Sequence, residues 1–230
     1  MGSTRLPGKV LARIGDSPML AIIVERLKPS KRIDQLVIAT TLLEADDSLE
    51  ALARELGVAC FRGSESDLLE RYHSAAREFS AEVVARLTGD NPLVDADFID
   101  HVIDEYAHLQ PPVDYLTTHG AGFPVGLHVE VFSFRALEKA WREDGNSAWR
   151  EHVTPYMYKT RGLFTVGQVD GEGDYSHLRW TVDTPEDLEF IRKVFCHFGR
   201  YDFSWRDVVG LLEKHPDWLD MNRHIQQRAV

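Results

Sequence analysis

Cysteine is nearly absent. The 230-residue chain has two, Cys60 and Cys196, at a separation that matches no metal-binding pattern. So few exclude a disulfide-stapled secreted scaffold, and both read as reduced core or near-core thiols of a cytoplasmic protein. Long apolar runs are lacking too. None reaches the ~18 residues that a membrane span needs, and the first residues carry no apolar signal-peptide segment. Positive charge is in deficit: 26 Lys and Arg stand against 37 Asp and Glu, and the net charge of −11 disfavours a nucleic-acid backbone as partner. Internal repeats and low-complexity linkers are missing, which fits one domain over 1–230. Neither a GxxxxGK-Ser/Thr loop nor GxGxxG occurs, and no Ser/His/Asp or Cys/His set announces a nucleophile.

What is present is a core-forming composition, 43% hydrophobic, arranged in a strand–helix rhythm. Ser17-Pro18 reads as an N-cap and first helical residue for MLAIIVERLK, which stops near Pro29. QLVIAT (35–40), VACF (58–61) and EVVARL (82–87) are short apolar, β-branched runs, read as buried strands. Between them lie EADDSLEALARELG (44–57), with Gly57 as its stop, and SDLLERYHSAAREF (66–79), capped by Ser66. DADFIDHVIDEYAHL (95–109) follows as a helix, with Asp95 and Asp97 as caps. This order predicts βαβ units, a mainly parallel sheet and helices on both faces. After Pro111-Pro112 the pattern changes. DYLTT, LHVEVFSF, LFTVGQV and HLRWTVDT read as strands, which predicts a mixed sheet, with helices at 134–142, 149–160, 184–198 and 204–215.

The basic residues concentrate in the first 32 positions, where Arg5, Lys9, Arg13, Arg26, Lys28, Lys31 and Arg32 face only Asp16 and Glu25. Arg26 to Arg32 read as a solvated basic helix face. Arg5 and Lys9 sit in MGSTRLPGK (1–9), a different context. Gly2 and Gly8 allow close backbone approach, Ser3 and Thr4 add hydroxyl donors, Arg5 supplies a fork and Lys9 a point charge. That is the chemistry of a phosphate loop, although a Gly/Pro turn with two exposed cations has the same composition. Asp90 closes the EVVARL strand, and Asp183 closes HLRWTV just before a helix. Ligands gather outside strand ends in parallel α/β sheets, so these carboxylates are candidate Mg²⁺ ligands. Each could instead cap its own turn or helix.

MGSTRLPGK, RLTGDNPLVD (86–95) and LRWTVDTPEDLEFI (178–191), in this order and spacing, resemble the cytidylyltransferases that make CMP-activated sugars. The likeness is to the spore-coat polysaccharide biosynthesis protein F type, related to CMP-KDO synthetase and acylneuraminate cytidylyltransferase. FRGSESDLLERY (61–72), GLHVEVFSFRALEKAW (126–141) and REHVTPY (150–156) fit the same type. The resemblance covers most of residues 1–195. It implies a nucleotide-diphospho-sugar transferase fold, a Rossmann-like α/β/α sandwich with a mixed sheet. It also implies that CTP and a sugar, expected to be a sugar acid, give a CMP-sugar and pyrophosphate, with Mg²⁺ as cofactor.

Residue by residue, Gly2, Ser3, Thr4, Arg5 and Lys9 match the triphosphate loop, and Asp90 and Asp183 match the metal ligands. Arg62, Ser64 and Arg71 match the approach to the cytosine and its ribose. His128, Glu130 and His152 would face the sugar, with His128 standing where similar sequences carry an acid. Relatives suggest a homodimer. Members of this type begin with a β-strand and a QAR-like step before the loop. The expectation is therefore a sheet without that central strand, a site short of one arginine, and weak or absent activity. A nucleotide-sugar-using glycosyltransferase of the same fold, or an inactive nucleotide-binding homologue, is the competing reading.

Overall fold

A computed structural model of the protein describes residues 5–227. The chain enters through a 3₁₀ turn, Lys9–Leu11, and a short hairpin, β1 (Arg13–Ile14) against β2 (Ser17–Pro18). Helix α1 (Met19–Leu27) follows. Ser17 does not cap it, because Ser17 and Pro18 are spent as the second hairpin strand and Pro18 occupies the capping position without a side-chain bond. Next come β3 (Val37–Thr41), α2 (Asp47–Leu56) and β4 (Ala59–Gly63). The φ of +68° at Gly57 ends α2 in the left-handed region that glycine enters freely. Helix α3 (Leu68–Glu78) starts one residue later than its sequence suggests, with the Asp67 side chain accepting from Glu70 N–H at 2.9 Å in place of Ser66.

The second half contains β5 (Val83–Arg86), α4 (Ala96–His108), β6 (Tyr115–Thr117) and β7 (Glu130–Ser133). Then come α5 (Phe134–Glu143), α6 (Ser147–Arg150), α7 (Pro155–Lys159) and β8 (Val166–Gln168). Two capped helices, α8 (Pro185–Phe198) and α9 (Trp205–Lys214), follow, and a 3₁₀ helix, Pro216–Met221, comes after them. The single helix expected over 149–160 is broken into α6 and α7. Val153 adopts a φ of +70° between them, a conformation rare for a β-branched residue.

The sheet is mixed, as the change of rhythm after Pro112 predicts. β3 and β4 are parallel; the order of the other four strands is β5-β7-β6-β8, with β7 antiparallel to both neighbours and β6 parallel to β8. Among the described residues β3 pairs only with β4, and β5 only with β7, so each keeps an unpaired edge.

Alternation along β6 and β7 builds the layers. Leu116 lies opposite Val131, and both enter a core with α1, α4, α8 and α9. Tyr115 lies opposite Phe132, and both enter a second core with α3, α5 and α7. Successive residues thus serve opposite faces of one sheet, the α/β/α sandwich that the order of elements implies. A third cluster joins Leu20 and Ala21 of α1 to Leu49 and Leu52 of α2, with Val10, Leu11 and Ile38 packed against it.

HLRWTVDT is not a ladder strand. It is an extended segment held by single contacts: Val125 N–H donates to Leu178 O at 2.9 Å, and Val182 N–H to Asp90 O at 2.8 Å. Gly126, at φ +113°, makes that approach possible, because a Cβ there would lie 2.7 Å from Thr181 N. Two other sequence expectations fail for packing reasons. Arg26 is 4% exposed rather than solvated: its guanidinium donates to Leu93 O, Val94 O and Tyr201 O and lies over Phe203. Cys196 is exposed, not a core thiol.

Candidate functional site

The site is built where three chain segments meet. Gly2, Ser3 and Thr4, which the sequence assigns to the phosphate loop, lie outside the described residues. The rest of the loop turns at Gly8, whose φ of +68° starts the 3₁₀ turn that presents Lys9. Thr88 to Asn91 leave the end of β5, and residues 178–183 form the extended segment before α8. The bond between Val182 N–H and Asp90 O ties these last two together.

Lys9 closes the arrangement. Its Nζ donates to Asp90 Oδ2 at 2.6 Å, to Asp183 Oδ1 at 2.8 Å and to Val182 O at 2.8 Å. One ammonium therefore sits between two carboxylates that are 93 positions apart in the sequence. Asp90 Oδ1 accepts from the Thr88 hydroxyl at 2.5 Å. Asp183 Oδ2 accepts from Arg5 and from Arg179, each at 2.9 Å. Burial alone would raise the Asp183 pKa, but Lys9, Arg179 and Arg5 outweigh it and hold the carboxyl below the usual range. Asp183 is thus an anion at neutral pH, in a cleft with more donors than one carboxylate needs.

Arg179 and Asp187 hold Asp183 in place, a contact that the sequence reading missed. Asp187 is fully buried. It accepts from Arg179 Nε at 2.9 Å and Arg179 NH2 at 3.0 Å, and it completes the capping box of α8 with Thr184. It also accepts from Asp183 N–H at 3.0 Å. The pair therefore fixes both the backbone and the carboxylate of Asp183. The signal was the spacing Arg179, Asp183, Asp187, masked because Asp187 also looks like an ordinary acid in a first helical turn.

His128, just before β7, is half-buried. Its pKa is pushed down to about 4, first by burial and then by the neighbouring His119, against the pull of Glu130 and Asp90. The two imidazoles meet edge to face with Nδ1 atoms 3.5 Å apart. His128 therefore offers a neutral ring on the side of the cleft where Asp90 is felt.

The other sequence candidates have protein partners of their own. Glu130 lies opposite Arg86 across the β5–β7 ladder and is ion-paired with it. It also accepts from the Tyr115 and Thr154 hydroxyls, each at 2.6 Å. Burial would raise its pKa, but Arg86 and the two hydroxyls hold it below the usual carboxylate range. Arg62 donates to Thr41 O at 2.9 Å and Leu43 O at 2.8 Å and pairs with Asp47 and Glu50. Arg71 donates to Ser64 O at 2.7 Å, and the Ser64 hydroxyl accepts from Asp67 N–H at 3.1 Å. His152 is exposed on the turn between α6 and α7. Among the described residues, no hydrogen bond joins Arg62, Ser64, Arg71 or His152 to the Lys9 cluster.

The arrangement sets three cationic side chains, Arg5, Lys9 and Arg179, against two carboxylates, Asp90 and Asp183. The described residues contain no cluster of three or more His, Cys, Asp or Glu able to hold a metal alone. Two carboxylate oxygens sharing a single positive centre are nevertheless the donor set of a hard divalent ion, which takes its remaining ligands from water and phosphate. Here the positive centre between them is the Lys9 ammonium.

Comparison with known proteins identifies the relatives of the chain. A cytidylyltransferase family model matches residues 1–208. The chain is 37% identical to the spore coat polysaccharide biosynthesis protein SpsF of Bacillus subtilis, over 94% of this chain and 92% of that one. It is 34% identical to a 3-deoxy-manno-octulosonate cytidylyltransferase of an Anaeromyxobacter species, over 85% of this chain and 94% of that one. Among solved structures, a cytidylyltransferase from Leptospira borgpetersenii superposes with a TM-score of 0.92 at 35% identity, over 100% of this chain and 95% of that one.

Proposed function

The chain belongs to the cytidylyltransferase family, and we propose that it transfers CMP from CTP to a hydroxyl of a sugar acid, releasing pyrophosphate, with Mg²⁺ as cofactor. The observation that carries this reading is the convergence of Arg5 and Lys9 on Asp90 and Asp183 at the ends of two chain segments. The sugar hydroxyl would form a bond to the α-phosphorus as the bond to the pyrophosphate oxygen breaks. Negative charge then grows on the non-bridging and leaving oxygens, and stabilising it requires fixed cations rather than a protein nucleophile. Arg5 is the fork for two of those oxygens and Lys9 the point charge for a third. Asp90 and Asp183 would hold the Mg²⁺, which when bound supplies further charge neutralisation at the phosphates.

Arg179 and Asp187 keep Asp183 in place through this step, because their mutual pair is buried and has little freedom to relax. Neutral His128 lines the acceptor side, where it can hydrogen-bond a sugar hydroxyl without adding charge. The Arg86–Glu130 pair, with Tyr115 and Thr154, stiffens the wall of the cleft beside it. No helix among the described residues is long and apolar enough to cross a membrane. We place the enzyme in the cytoplasm, where CTP is made, and propose that it acts as a homodimer.

The test is pyrophosphate release with CTP and Mg²⁺ across a panel of 2-keto sugar acids and ordinary sugars. CTP-dependent release with at least one sugar acid is expected. Asp90→Asn and Asp183→Asn should each lower the rate on the order of 10²–10³-fold, as for other electrostatic stabilisers. Release with nucleotides but no sugar-acid dependence, or wild-type turnover in both variants, overturns the reading.

A further inference from the structure

Lys9 is half-buried, lodged between the very carboxylates assigned to the metal. Its side chain is 13% exposed, and its Nζ lies 2.6 Å from Asp90 Oδ2 and 2.8 Å from Asp183 Oδ1. A Mg²⁺ or Mn²⁺ held by these same two oxygens would sit roughly 2.0–2.2 Å from each, nearer than the ammonium does, and in the space the ammonium fills. The two cations cannot be there together. We propose that the Lys9 ammonium is a tethered placeholder that keeps the carboxylate pair closed and must be expelled before a divalent ion binds.

The inference rests on the assignment of Asp90 and Asp183 as metal ligands. Three features of the structure carry it beyond that assignment. The third Nζ contact, to Val182 O at 2.8 Å, holds the ammonium by neutral backbone as well as by charge, so it is seated rather than drifting. Lys9 belongs to a 3₁₀ turn of three residues that begins at a left-handed glycine, a short element able to swing its side chain without breaking a sheet. Arg5 and Lys9 lie in one loop and Arg5 also touches Asp183, so an anion laid along that loop would meet both cations. A triphosphate laid along that loop would compensate Lys9 for the carboxylates it gives up. The consequence is thermodynamic coupling: the metal binds weakly without nucleotide and tightly with it, by reciprocal linkage. The enzyme would then avoid committing its carboxylates to a divalent ion before the polyanion arrives.

The probe is Mn²⁺ alone, without nucleotide, titrated into the full chain and followed by the loss of the free-ion EPR signal. Circular dichroism of each variant confirms that it is folded. Lys9→Met removes the competing charge and should tighten Mn²⁺ binding about tenfold, equivalent to about 1.4 kcal/mol. Lys9→Arg keeps a cation in the cleft and should leave binding as weak as wild type. Asp90→Asn and Asp183→Asn, made in the Lys9→Met background, should abolish the gain. If Lys9→Met and wild type bind Mn²⁺ equally while the aspartate variants weaken it, the placeholder is refuted and the ligand assignment stands. If the aspartates make no difference in any background, the ligand assignment fails and takes the placeholder with it.

Discussion

Asp187 offers a sharp quantitative test because the chain contains its own control. Two helices start with the same capping box: Thr184 with Asp187 on α8, and Ser204 with Asp207 on α9. Asp207 is exposed, whereas Asp187 is fully buried and bidentate to Arg179, whose side chain is 6% exposed. Asp187→Asn keeps the shape and removes the charge. One oxygen now accepts from Arg179 Nε and Asn222, the other from Arg179 NH2, Asp183 N–H and Thr184 N–H. An amide has a single acceptor, so in either orientation its NH₂ faces donors.

Breaking a buried ion pair from one side costs about 3–5 kcal/mol, against about 0.3–1 kcal/mol for losing a charge in an exposed first helical turn, where the amide oxygen can still accept from Ser204. For a chain of this size each kcal/mol lowers Tm by roughly 2–4 °C. Asp187→Asn should therefore lower Tm by about 6–20 °C, and Asp207→Asn by about 1–4 °C. Calorimetry checks the shift, and urea titration at unchanged m confirms a native-state effect. If the two variants fall within about 1 kcal/mol of each other, burial of the Arg179 pair adds nothing, and its role in holding Asp183 is lost with it.

Other positions give expectations of different kinds. Glu130→Gln should destabilise by about 3–5 kcal/mol, because it leaves Arg86 without its buried counter-charge; chemical denaturation reads it directly. The folded pKa of Glu130 lies below its ordinary value of 4.5, so its contribution is present above that pH and lost as pH falls through the folded value. The urea midpoint of Glu130→Gln should accordingly fall less steeply on acidification than that of wild type. His128 has a folded pKa of about 4 against 6.5 unfolded, so the unfolded chain takes up its proton first. Stability should decline as pH drops from 6.5 towards 4, and His128→Asn should remove that component of the slope. Gly126→Ala forces a Cβ to within 2.7 Å of Thr181 N at a φ of +113°. It should destabilise on the order of 2 kcal/mol and also depress pyrophosphate release, because it displaces the segment that carries Asp183.

The sequence was most legible where one residue's role is local. Strand and helix order, Gly57 as a helix stop and the Thr184 cap depend on neighbours a few positions away, and each was readable from spacing. Where a residue had two local readings, as Asp90 and Asp183 did, only a partner from elsewhere could decide. Lys9 is that partner, and its three contacts span 81 to 174 positions. Arg26 fails for the same reason in reverse. It sits among cations and reads as a solvated face, yet it is sealed by carbonyls of residues 93 and 94 and by the Phe203 ring, all contributed from far along the chain. Glu130 shows a subtler limit. Its motif points to the sugar, but the pairing of β5 with β7 places Arg86 opposite it and satisfies it within the protein. Register, which no spacing in one strand reveals, therefore separates a carboxylate that a ligand can claim from one already claimed. By that criterion Asp90 and Asp183 differ from Glu130 in kind. Arg179 does hold Asp183 Oδ2, but among the described residues Asp90 Oδ2 and Asp183 Oδ1 bond to the Lys9 ammonium, carried on a short turn, and to no guanidinium fixed across a ladder; those are the two oxygens that the proposed metal would claim.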